Sequence, residues 1–244
     1  MTAATKKQES SFLDTVSVIV QALLLALVLR TFLFQPFNIP SGSMKPTLLE
    51  GDYIFVSKYS YGYSRHSFPL SPPLFDGRVW AGDGPERGDV VVFKFPPNPG
   101  LDYIKRVIGL PGDRIQMREG QLYINNEPVR REAAGSFRDE DEGRPVLAFR
   151  ETLPNGRSYM TLDLGRSPVD NTRVFEVPPG HYFMMGDNRD GSDDSRQNVG
   201  FVPLENLVGK AQVIFMSVGD GASAWQVWRW PDVLRTERLF DGIE

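Results

Sequence analysis

The sequence contains no cysteine and only two histidines, and both shortages exclude kinds of chemistry. Without cysteine the chain can form no disulfide, no thiolate nucleophile and no cysteine-ligated metal site. With only His66 and His181 present, a histidine-rich zinc site is disfavoured. A serine–histidine–aspartate triad would have to use one of these two rings.

The sequence also lacks an excess of positive charge. Its formal net charge is −4 and its isoelectric point is near 5.4. Nucleic-acid binding needs lysine and arginine clustered along one face, so we expect no nucleic-acid partner. The 244 residues, 41% of them hydrophobic, are enough to bury the core of one large domain or of one domain with an insertion.

One strongly apolar run lies near the N-terminus, from residue 16 to residue 29. These fourteen residues would span about 21 Å as a helix, which is short of a hydrocarbon core of roughly 30 Å. The segment reaches a sufficient length when it is extended to 12–34, with Asp14 and Arg30 near its ends. We therefore predict a transmembrane anchor at 12–34.

A cleaved signal peptide or a buried core helix would also contain such a run. However, bulky aromatic residues at 32–37 stand where a signal peptide would have the small residues of its cleavage site, which favours an uncleaved anchor. Lys6 and Lys7 favour a cytoplasmic tail at 1–11, although Arg30 on the other flank weakens this bias. In this orientation the rest of the chain lies outside the cytoplasm.

The sequence beyond the anchor is dominated by short β-rich runs, several of them preceded by Gly-Asp turns, and this pattern predicts a mainly β domain. These runs are 53–59, 90–96, 103–110, 182–185 and 208–216. The region 114–175 differs, because its two β-like runs at 121–124 and 159–164 are separated by a charged stretch at 127–145. We therefore predict one domain formed by 35–113 and 176–244, with an inserted β subdomain or an extended β-ribbon at 114–175.

Three further stretches carry weaker signals. Residues 61–84 are rich in Gly, Pro and Ser without periodicity, which predicts an exposed loop with His66 in solvent. The acidic run 139–142 has no ligand-like spacing, so we expect a solvated loop. The C-terminal tryptophans are expected either to pack on the β domain or to lie at a membrane surface. These tryptophans are Trp225, Trp228 and Trp230.

Residues 39–47, with the sequence IPSGSMKPT, combine two serines, a glycine and two prolines just past the apolar segment. Proline restricts the backbone at both ends, while Gly42 permits conformations that other residues avoid. The stretch can therefore bring Ser41 and Ser43 close to another backbone. A simple turn that joins the anchor to the domain explains the same composition.

Lys105 is the most informative residue of the run 103–110. Strand periodicity places it on one face with Tyr103 and Val107. On an inward face it would lose hydration, its pKa would fall, and its neutral amine could accept a proton from a serine that has no histidine partner. The alternative is an edge strand in which Lys105 and Arg106 point to water.

Lys45 is the rival base, because it lies only two residues after Ser43. We rank it second, since nothing in the local sequence would remove it from water. The helical Ser-x-x-Lys signature of penicillin-recognising enzymes is also absent, because Gly42 stands three places before Lys45.

The stretch 186–196 is dense in short polar side chains, which stabilise loops through hydrogen bonds to the backbone. A calcium site is disfavoured here because the EF-hand spacing is broken. Arg189 occupies a ligand position, and no glutamate lies eleven residues after Asp187. We therefore predict no metal site in this loop.

Taken together, these blocks resemble the signature boxes of bacterial type I signal peptidases in content, order and spacing. The matching stretches are 40–48, 51–53, 87–93, 103–113 and 186–196. The resemblance implies an antiparallel β catalytic domain and a membrane-anchored serine endopeptidase with a Ser/Lys dyad. Such an enzyme removes signal peptides from exported preproteins, after small-x-small motifs, on the outer side of the cytoplasmic membrane.

The resemblance also implies roles for individual residues. Ser43 matches the nucleophile and Lys105 matches the general base. The resemblance therefore favours Lys105 over Lys45 as the base. The Ser41 side chain, together with the backbone N–H of Ser43, matches the oxyanion hole. Ser192 matches the serine that orients the lysine.

Around these residues, Asp194 and Arg196 match a pair that braces the polar loop. A further set matches the shallow pockets that accept small residues at the first and third positions before the cut. These residues are Phe37, Ile39, Pro40, Met44, Tyr103 and Ile104. Neither histidine matches a catalytic position.

The partners that the resemblance implies are signal peptides of exported preproteins, membrane lipid and, by proximity, the export machinery. No cofactor is implied. Some family members have two spanning segments, whereas this sequence shows one, so details of topology do not transfer.

Two other functions compete with this interpretation. A self-cleaving Ser/Lys peptidase of the repressor kind would need a cytoplasmic DNA-binding domain, where this chain has a membrane anchor. An anchored, non-catalytic β domain that binds envelope partners would use the serine stretch only as a linker.

Overall fold

The first element is an apolar helix that stands clear of the rest of the protein. The computed structural model of the chain describes residues 12–68, 71, 72, 75–80, 82, 84–139, 143–219 and 221–243. The predicted tail at 1–11 and residues 140–142 of the acidic run lie outside the described residues. Helix α1 (Phe12–Phe32) has 21 residues and a mean hydropathy of 2.3 in its most apolar window. None of that window is buried against protein, and within the described ranges no other helix is long and apolar enough to cross a membrane.

The helix ends at Phe32, two residues before the predicted end at 34. The chain turns there because Phe34 already belongs to the first strand, which pairs with residues 53–57. At about 1.5 Å per residue the 21 residues still extend roughly 32 Å, close to the thickness of a bilayer core.

The remaining elements are mostly strands. They are β1 (Phe34–Asn38), β2 (Asp52–Ser57), β3 (Tyr63–Ser64), β4 (Arg78–Val79), β5 (Val90–Lys94), β6 (Asp102–Gly109), β7 (Arg114–Arg118), β8 (Gln121–Ile124), β9 (Glu127–Pro128), β10 (Arg130–Asp139), β11 (Arg144–Thr152), β12 (Ser158–Asp163), β13 (Phe175–Glu176), β14 (His181–Met185), β15 (Val202–Pro203), β16 (Leu207–Ser217) and β17 (Asp241–Gly242), with a short helix α2 (Trp230–Val233) before β17.

The main sheet has the strand order β1-β2-β16-β5-β6-β14-β15, and β17 pairs with β16. Every pair of these strands is antiparallel. The sheet is built from the apolar runs identified in the sequence, and its core includes Ile54, Val92 and Ile214 on one side and Phe93, Val107 and Met184 on another. The prediction of a mainly β, antiparallel fold with one N-terminal apolar helix is confirmed.

Two smaller sheets form between residues 114 and 176. One has the order β13-β7-β8-β9 and the other β10-β11-β12. The charged stretch 127–145, which separated two runs in the sequence, is not a plain connection, because it contains β10 and the start of β11. Arg130, Glu132 and Arg144 are exposed, whereas Arg131 pairs with Asp163 at 2.7 Å. Val146 and Ala148 pack on Leu162 beneath them. Because one face of this hairpin is exposed and charged, the composition of the stretch did not indicate strands.

The prediction of an exposed loop at 61–84 with a solvated His66 is wrong at 61–68, where most residues are buried, whereas Gly77, Val79 and Trp80 are exposed as expected. His66 is only 7% exposed, and its ring lies 3.2 Å from Ser71 Oγ. Tyr63 donates a hydrogen bond from its hydroxyl to the Phe32 carbonyl at 2.6 Å. Contacts with the end of α1 bury this segment, and no local periodicity could reveal them.

The C-terminal tryptophans differ in exposure. Trp225 and Trp228 are exposed and contact each other edge to face, with ring centroids 6.2 Å apart. Trp230 is half-buried and donates from Nε1 to the Ala224 carbonyl at 2.9 Å.

Asp52 ties the C-terminal segment to the start of β2, and its replacement should lower stability. Its buried carboxylate accepts hydrogen bonds from the Leu49 N–H at 2.8 Å, from Ser217 Oγ at 2.7 Å and from Arg238 at 2.6 Å. Asp52→Ala leaves these donors unpaired, so we expect a loss of about 3 kcal/mol in the free energy of unfolding, measured by urea denaturation in detergent.

The matched control is Glu176→Ala, which removes a carboxylate from an exposed pair with Arg114 at 3.5 Å. Exposed pairs contribute little, so the control should change stability by less than about 0.5 kcal/mol. Equal losses in the two variants would contradict the role given to Asp52.

Candidate active site

The serine stretch folds as a short 3-10 helix, Gly42–Met44, whose middle residue is Ser43. Met44 and Leu48 are fully buried and hold the stretch against the core. The Ile39 N–H donates to the Asp52 carbonyl at 2.8 Å, which ties the start of the stretch to β2. Ser43 itself is 8% exposed, so its hydroxyl lies in a fixed and largely dry position.

Lys105 lies on β6, in the part of the sheet where β6 pairs with β5 through Val91. Its ammonium nitrogen Nζ donates to Ser43 Oγ at 2.7 Å and to the Ile104 carbonyl at 3.0 Å. The side chain is 4% exposed, and the neighbouring Arg106 is also buried. An edge strand with both charges in water is therefore excluded.

Burial lowers the pKa of Lys105 from 10.5 to about 8, because the ammonium form loses its hydration. The negative charges of Asp194, Asp193 and Asp187 act in the opposite direction and limit the fall. A lysine in this position has a sizeable neutral fraction near neutral pH, and only the neutral amine can accept a proton.

Lys45, the rival base, is also buried, at 7% exposure. The expectation that nothing would remove it from water is therefore wrong. A Cβ atom on Gly42 would lie 2.9 Å from Lys45 Cε, so the lysine stem folds back along its own loop. Its side chain also lines a cavity of about 430 Å³ together with Ile39 and Pro40. A short loop can bury a lysine when it docks on a sheet, which its local sequence does not reveal.

Ser41 lies beside Ser43, with 3.5 Å between their two Oγ atoms, and is itself exposed. A carbonyl oxygen placed next to Ser43 could therefore be reached by the Ser41 hydroxyl. Such a donor, aimed at a developing negative charge, is what an oxyanion hole requires.

The polar stretch 186–196 docks directly on the serine loop. The Asn188 N–H donates to the Ser43 carbonyl at 3.1 Å, and Asn188 Nδ2 donates to the Gly42 carbonyl at 3.3 Å. A Cβ atom on Gly186 would lie 2.5 Å from the Ser43 carbonyl oxygen and 2.3 Å from Ser192 Oγ. Only glycine allows this close approach.

Ser192 lies at this junction but does not make the expected hydrogen bond to the lysine. Its Oγ is buried and has no hydrogen-bond partner among the described residues. Lys105 instead donates to Ser43 and to its neighbouring carbonyl.

Asp194 and Arg196 hold the polar stretch from within. Asp194 accepts from the Gly186 N–H at 3.0 Å and from Arg196 at 2.8 and 2.9 Å, and both side chains are buried. Burial alone would raise the pKa of Asp194, but the Arg196 charge and the hydrogen bonds lower it overall. The pair is therefore ionised and braces the backbone at Gly186.

Arg106 and Asp187 form a network that the sequence analysis missed. Arg106 donates to both carboxylate oxygens of Asp187, at 2.8 and 2.7 Å, and to the Gly88 carbonyl at 2.8 Å. Thr47 donates to the same carboxylate at 2.6 Å. The network joins β6, the polar stretch and the serine loop. The signal in the sequence was an arginine inside an apolar strand, which requires a buried partner.

The predicted pocket residues differ in exposure. Four of them, Phe37, Ile39, Met44 and Ile104, pack in one core cluster, although Met44 is completely enclosed. Tyr103 is half-buried and stacks on Phe95 with ring centroids 4.5 Å apart. Pro40 is exposed.

The two histidines lie away from this group. His181 contacts the Pro179 carbonyl, and His66 lies near the end of α1. Within the part of the chain that the structure describes, no three His, Cys, Asp or Glu side chains cluster closely enough to hold a metal.

The chain is similar to known peptidases over most of its length. A family model described as signal peptidase, peptidase S26, matches residues 12–216. Signal peptidase I of Rickettsia typhi is 49% identical over 237 residues, which cover 90% of this chain and 89% of that protein. The corresponding protein of Rickettsia massiliae is 48% identical over 261 residues, covering 99% and 95%.

Among solved structures, a signal peptidase I from Enterococcus faecalis V583 is 29% identical, with a TM-score of 0.32. It covers 52% of this chain and 97% of its own. The sequence matches decide the relationship, because the family model spans far more than half of the chain and the curated relatives are aligned almost end to end. The chain belongs to the signal peptidase family, peptidase S26.

Proposed function

We propose that this chain is a membrane-anchored serine endopeptidase that cleaves N-terminal signal peptides from exported preproteins after small-x-small motifs. Ser43 is the nucleophile and Lys105 the general base. The observation that carries the proposal is the 2.7 Å hydrogen bond between Lys105 Nζ and Ser43 Oγ in a site from which water is largely excluded. Family membership supports the same reaction class.

In the first step, neutral Lys105 takes the Ser43 hydroxyl proton as Oγ attacks the scissile carbonyl carbon. The carbonyl oxygen becomes an oxyanion, for which Ser41 Oγ and the Ser43 N–H are the proposed donors. The resulting ammonium of Lys105 returns the proton to the leaving amine, and an acyl-enzyme remains. A water molecule, deprotonated by Lys105, then hydrolyses the ester and regenerates Ser43.

The surrounding charges suit a lysine that must alternate between two protonation states. Burial favours the neutral amine, which starts the reaction, while the carboxylates of Asp194, Asp193 and Asp187 favour the ammonium that the first step creates. Ser192 is proposed to orient the lysine. Support for this role comes from its buried hydroxyl, which makes no hydrogen bond in the described part of the chain and so can accept one from the lysine.

The remaining assignments follow from position. Helix α1 is proposed to cross the cytoplasmic membrane with its N-terminal side in the cytoplasm, so that the catalytic domain, 35–113 with 176–244, lies outside near the export machinery. The pockets for small side chains are assigned to the surface formed by Phe37, Ile39 and Pro40 and by Tyr103 and Ile104, with Met44 behind it.

Single substitutions should separate the two candidate lysines. We expect Ser43→Ala and Lys105→Met each to reduce cleavage of a model preprotein in detergent by more than about 1,000-fold, because each removes a group that moves in the reaction. Lys45→Met should retain activity. Circular dichroism of each variant checks that the fold survives.

Two results would contradict this assignment. Loss of activity in Lys45→Met, with cleavage retained in Lys105→Met, would move the base into the serine loop. Activity that no variant reduces would contradict the Ser43/Lys105 dyad, and absence of activity from the wild type on any preprotein would favour a non-catalytic β domain.

The activity should depend on the protonation of Lys105. Because the neutral amine is the base, kcat/KM should rise about tenfold per pH unit below pH 8 and level off above it. Asp193→Asn removes a negative charge that raises the pKa of Lys105, so the profile should move to lower pH.

The control for this profile is Glu176→Gln, which removes a charge that does not act on Lys105 and should leave the midpoint in place. A shift to higher pH in Asp193→Asn, or a flat profile between pH 6 and about pH 9, would contradict the lysine base.

A further inference from the structure

A cluster of basic side chains surrounds a cavity whose lining includes neither Ser43 nor Lys105. This cavity has a volume of about 350 Å³ and lies where the end of α1 meets the β5–β6 turn. The basic residues that line it are Arg30, Lys58, Lys94 and His66, and among the described residues Asp102 is the one acidic lining residue. We call it the basic pocket.

The positive charges of the basic pocket are only partly neutralised. Lys94 pairs with Asp102 at 2.9 Å. Lys58 is 2% exposed and donates from Nζ to the Ser67 carbonyl at 2.6 Å, which satisfies one of its hydrogens without cancelling its charge. Among the described residues, the Arg30 guanidinium has no ion-pair partner. Two positive charges are therefore left over at the cavity.

These charges act on one another at a cost. The pKa of Lys58 falls to about 8, chiefly because of burial and next because of repulsion from Arg30, with Lys94 adding to the fall and Asp102 opposing it. A bound anion would relieve both the lost hydration and the repulsion. A phosphate group suits this geometry because its oxygens accept charge-assisted hydrogen bonds from arginine and lysine simultaneously.

The position of the basic pocket points to the source of such an anion. Arg30 lies in the last turn of α1, and the chain around the cavity is bound to that helix end. The Lys58 N–H donates to the Leu33 carbonyl at 3.0 Å, and the Phe32 ring packs edge to face on Tyr63 and Phe68. The end of an apolar, membrane-length helix lies at the depth of lipid headgroups, where arginine and lysine contact their phosphates.

We propose that the basic pocket binds a phosphate group and that this group belongs to the headgroup of an anionic phospholipid in the leaflet next to the β domain. The inference rests on the membrane anchoring proposed above, because only an anchored chain holds the pocket at the headgroup level. Free inorganic phosphate is the other source of the same chemistry. A headgroup in the pocket would hold the β domain close to the membrane surface, from which a signal peptide emerges.

The test measures lipid retention by the full chain. Native mass spectrometry in detergent, with phosphatidylglycerol or phosphatidylcholine added at equal concentration, should show preferential retention of the anionic lipid. Arg30→Gln and Lys94→Gln should each reduce that retention about fivefold, as expected for one basic charge at a headgroup. Arg166→Gln, which removes an exposed arginine outside the pocket, is the matched control and should retain the lipid as the wild type does.

Lys58→Met is a third variant, with circular dichroism to confirm its fold, because its side chain is buried. Equal retention of the two lipids, or equal losses in Arg166→Gln and Arg30→Gln, would overturn the proposal. Inorganic phosphate that displaces the lipid at equal concentration would assign the pocket to free phosphate and overturn the headgroup assignment. Carbonate extraction of membranes tests the anchor separately. A chain that stays in the membrane after extraction but retains both lipids equally refutes headgroup binding in the basic pocket and leaves the proposed anchor in place.

Discussion

The hydrogen bond between Lys105 and Ser43 can serve catalysis only if the lysine is kept out of water, and much of the surrounding structure serves that requirement. Lowering a lysine pKa from 10.5 to about 8 costs on the order of 3 kcal/mol at neutral pH, because the folded state disfavours the ammonium form. Since the unfolded chain binds this proton more tightly, the cost disappears as pH rises from about 8 to 10.5. Packing of the β core must offset it below that range. The serine loop and the polar stretch 186–196 close over the lysine from two sides, and each is held by its own buried contacts.

The adjacent residue, Arg106, shows the opposite solution to the burial of a charge. A guanidinium cannot give up its proton in a protein, so burial on β6 requires a permanent partner. Asp187 supplies that partner through two hydrogen bonds and also accepts one from Thr47. In the described part of the chain, Lys105 has no carboxylate within hydrogen-bond distance, so no ion pair holds its proton. Two neighbouring cations on one strand thus differ, because Arg106 is a fixed cross-link between loops and Lys105 is the proposed base.

Much of the fold was predictable because it depends on local patterns. The apolar runs at 90–96, 103–110 and 208–216 became β5, β6 and β16 within a few residues, and the N-terminal run became α1. The β-rich character of 114–175 was expected, but the positions of β10 and most of β11 were not, because their outer face is charged. The burial of His66 and of Lys45 was missed because distant segments cover them. Ser43 and Lys105 were expected together from family resemblance, since 62 residues separate them and no periodicity in either stretch indicates the other.

Region 114–175 makes contacts with the site that its own sequence does not indicate. Arg189, in the polar stretch, donates to Glu151 on β11 at 2.6 Å, and the Tyr159 hydroxyl on β12 donates to the same carboxylate at 2.9 Å. The Leu162 N–H donates to the Asp187 carbonyl at 2.9 Å, directly beside the Arg106 network. The backbone that carries Asp187 and Arg189 is therefore held between the main sheet and strands β11 and β12. Since Asp187 also binds Thr47 in the serine loop, the position of Ser43 depends on region 114–175 as well as on the sheet that carries Lys105. Region 114–175 is accordingly part of the support of the site, even though none of the residues proposed for catalysis or substrate binding belongs to it.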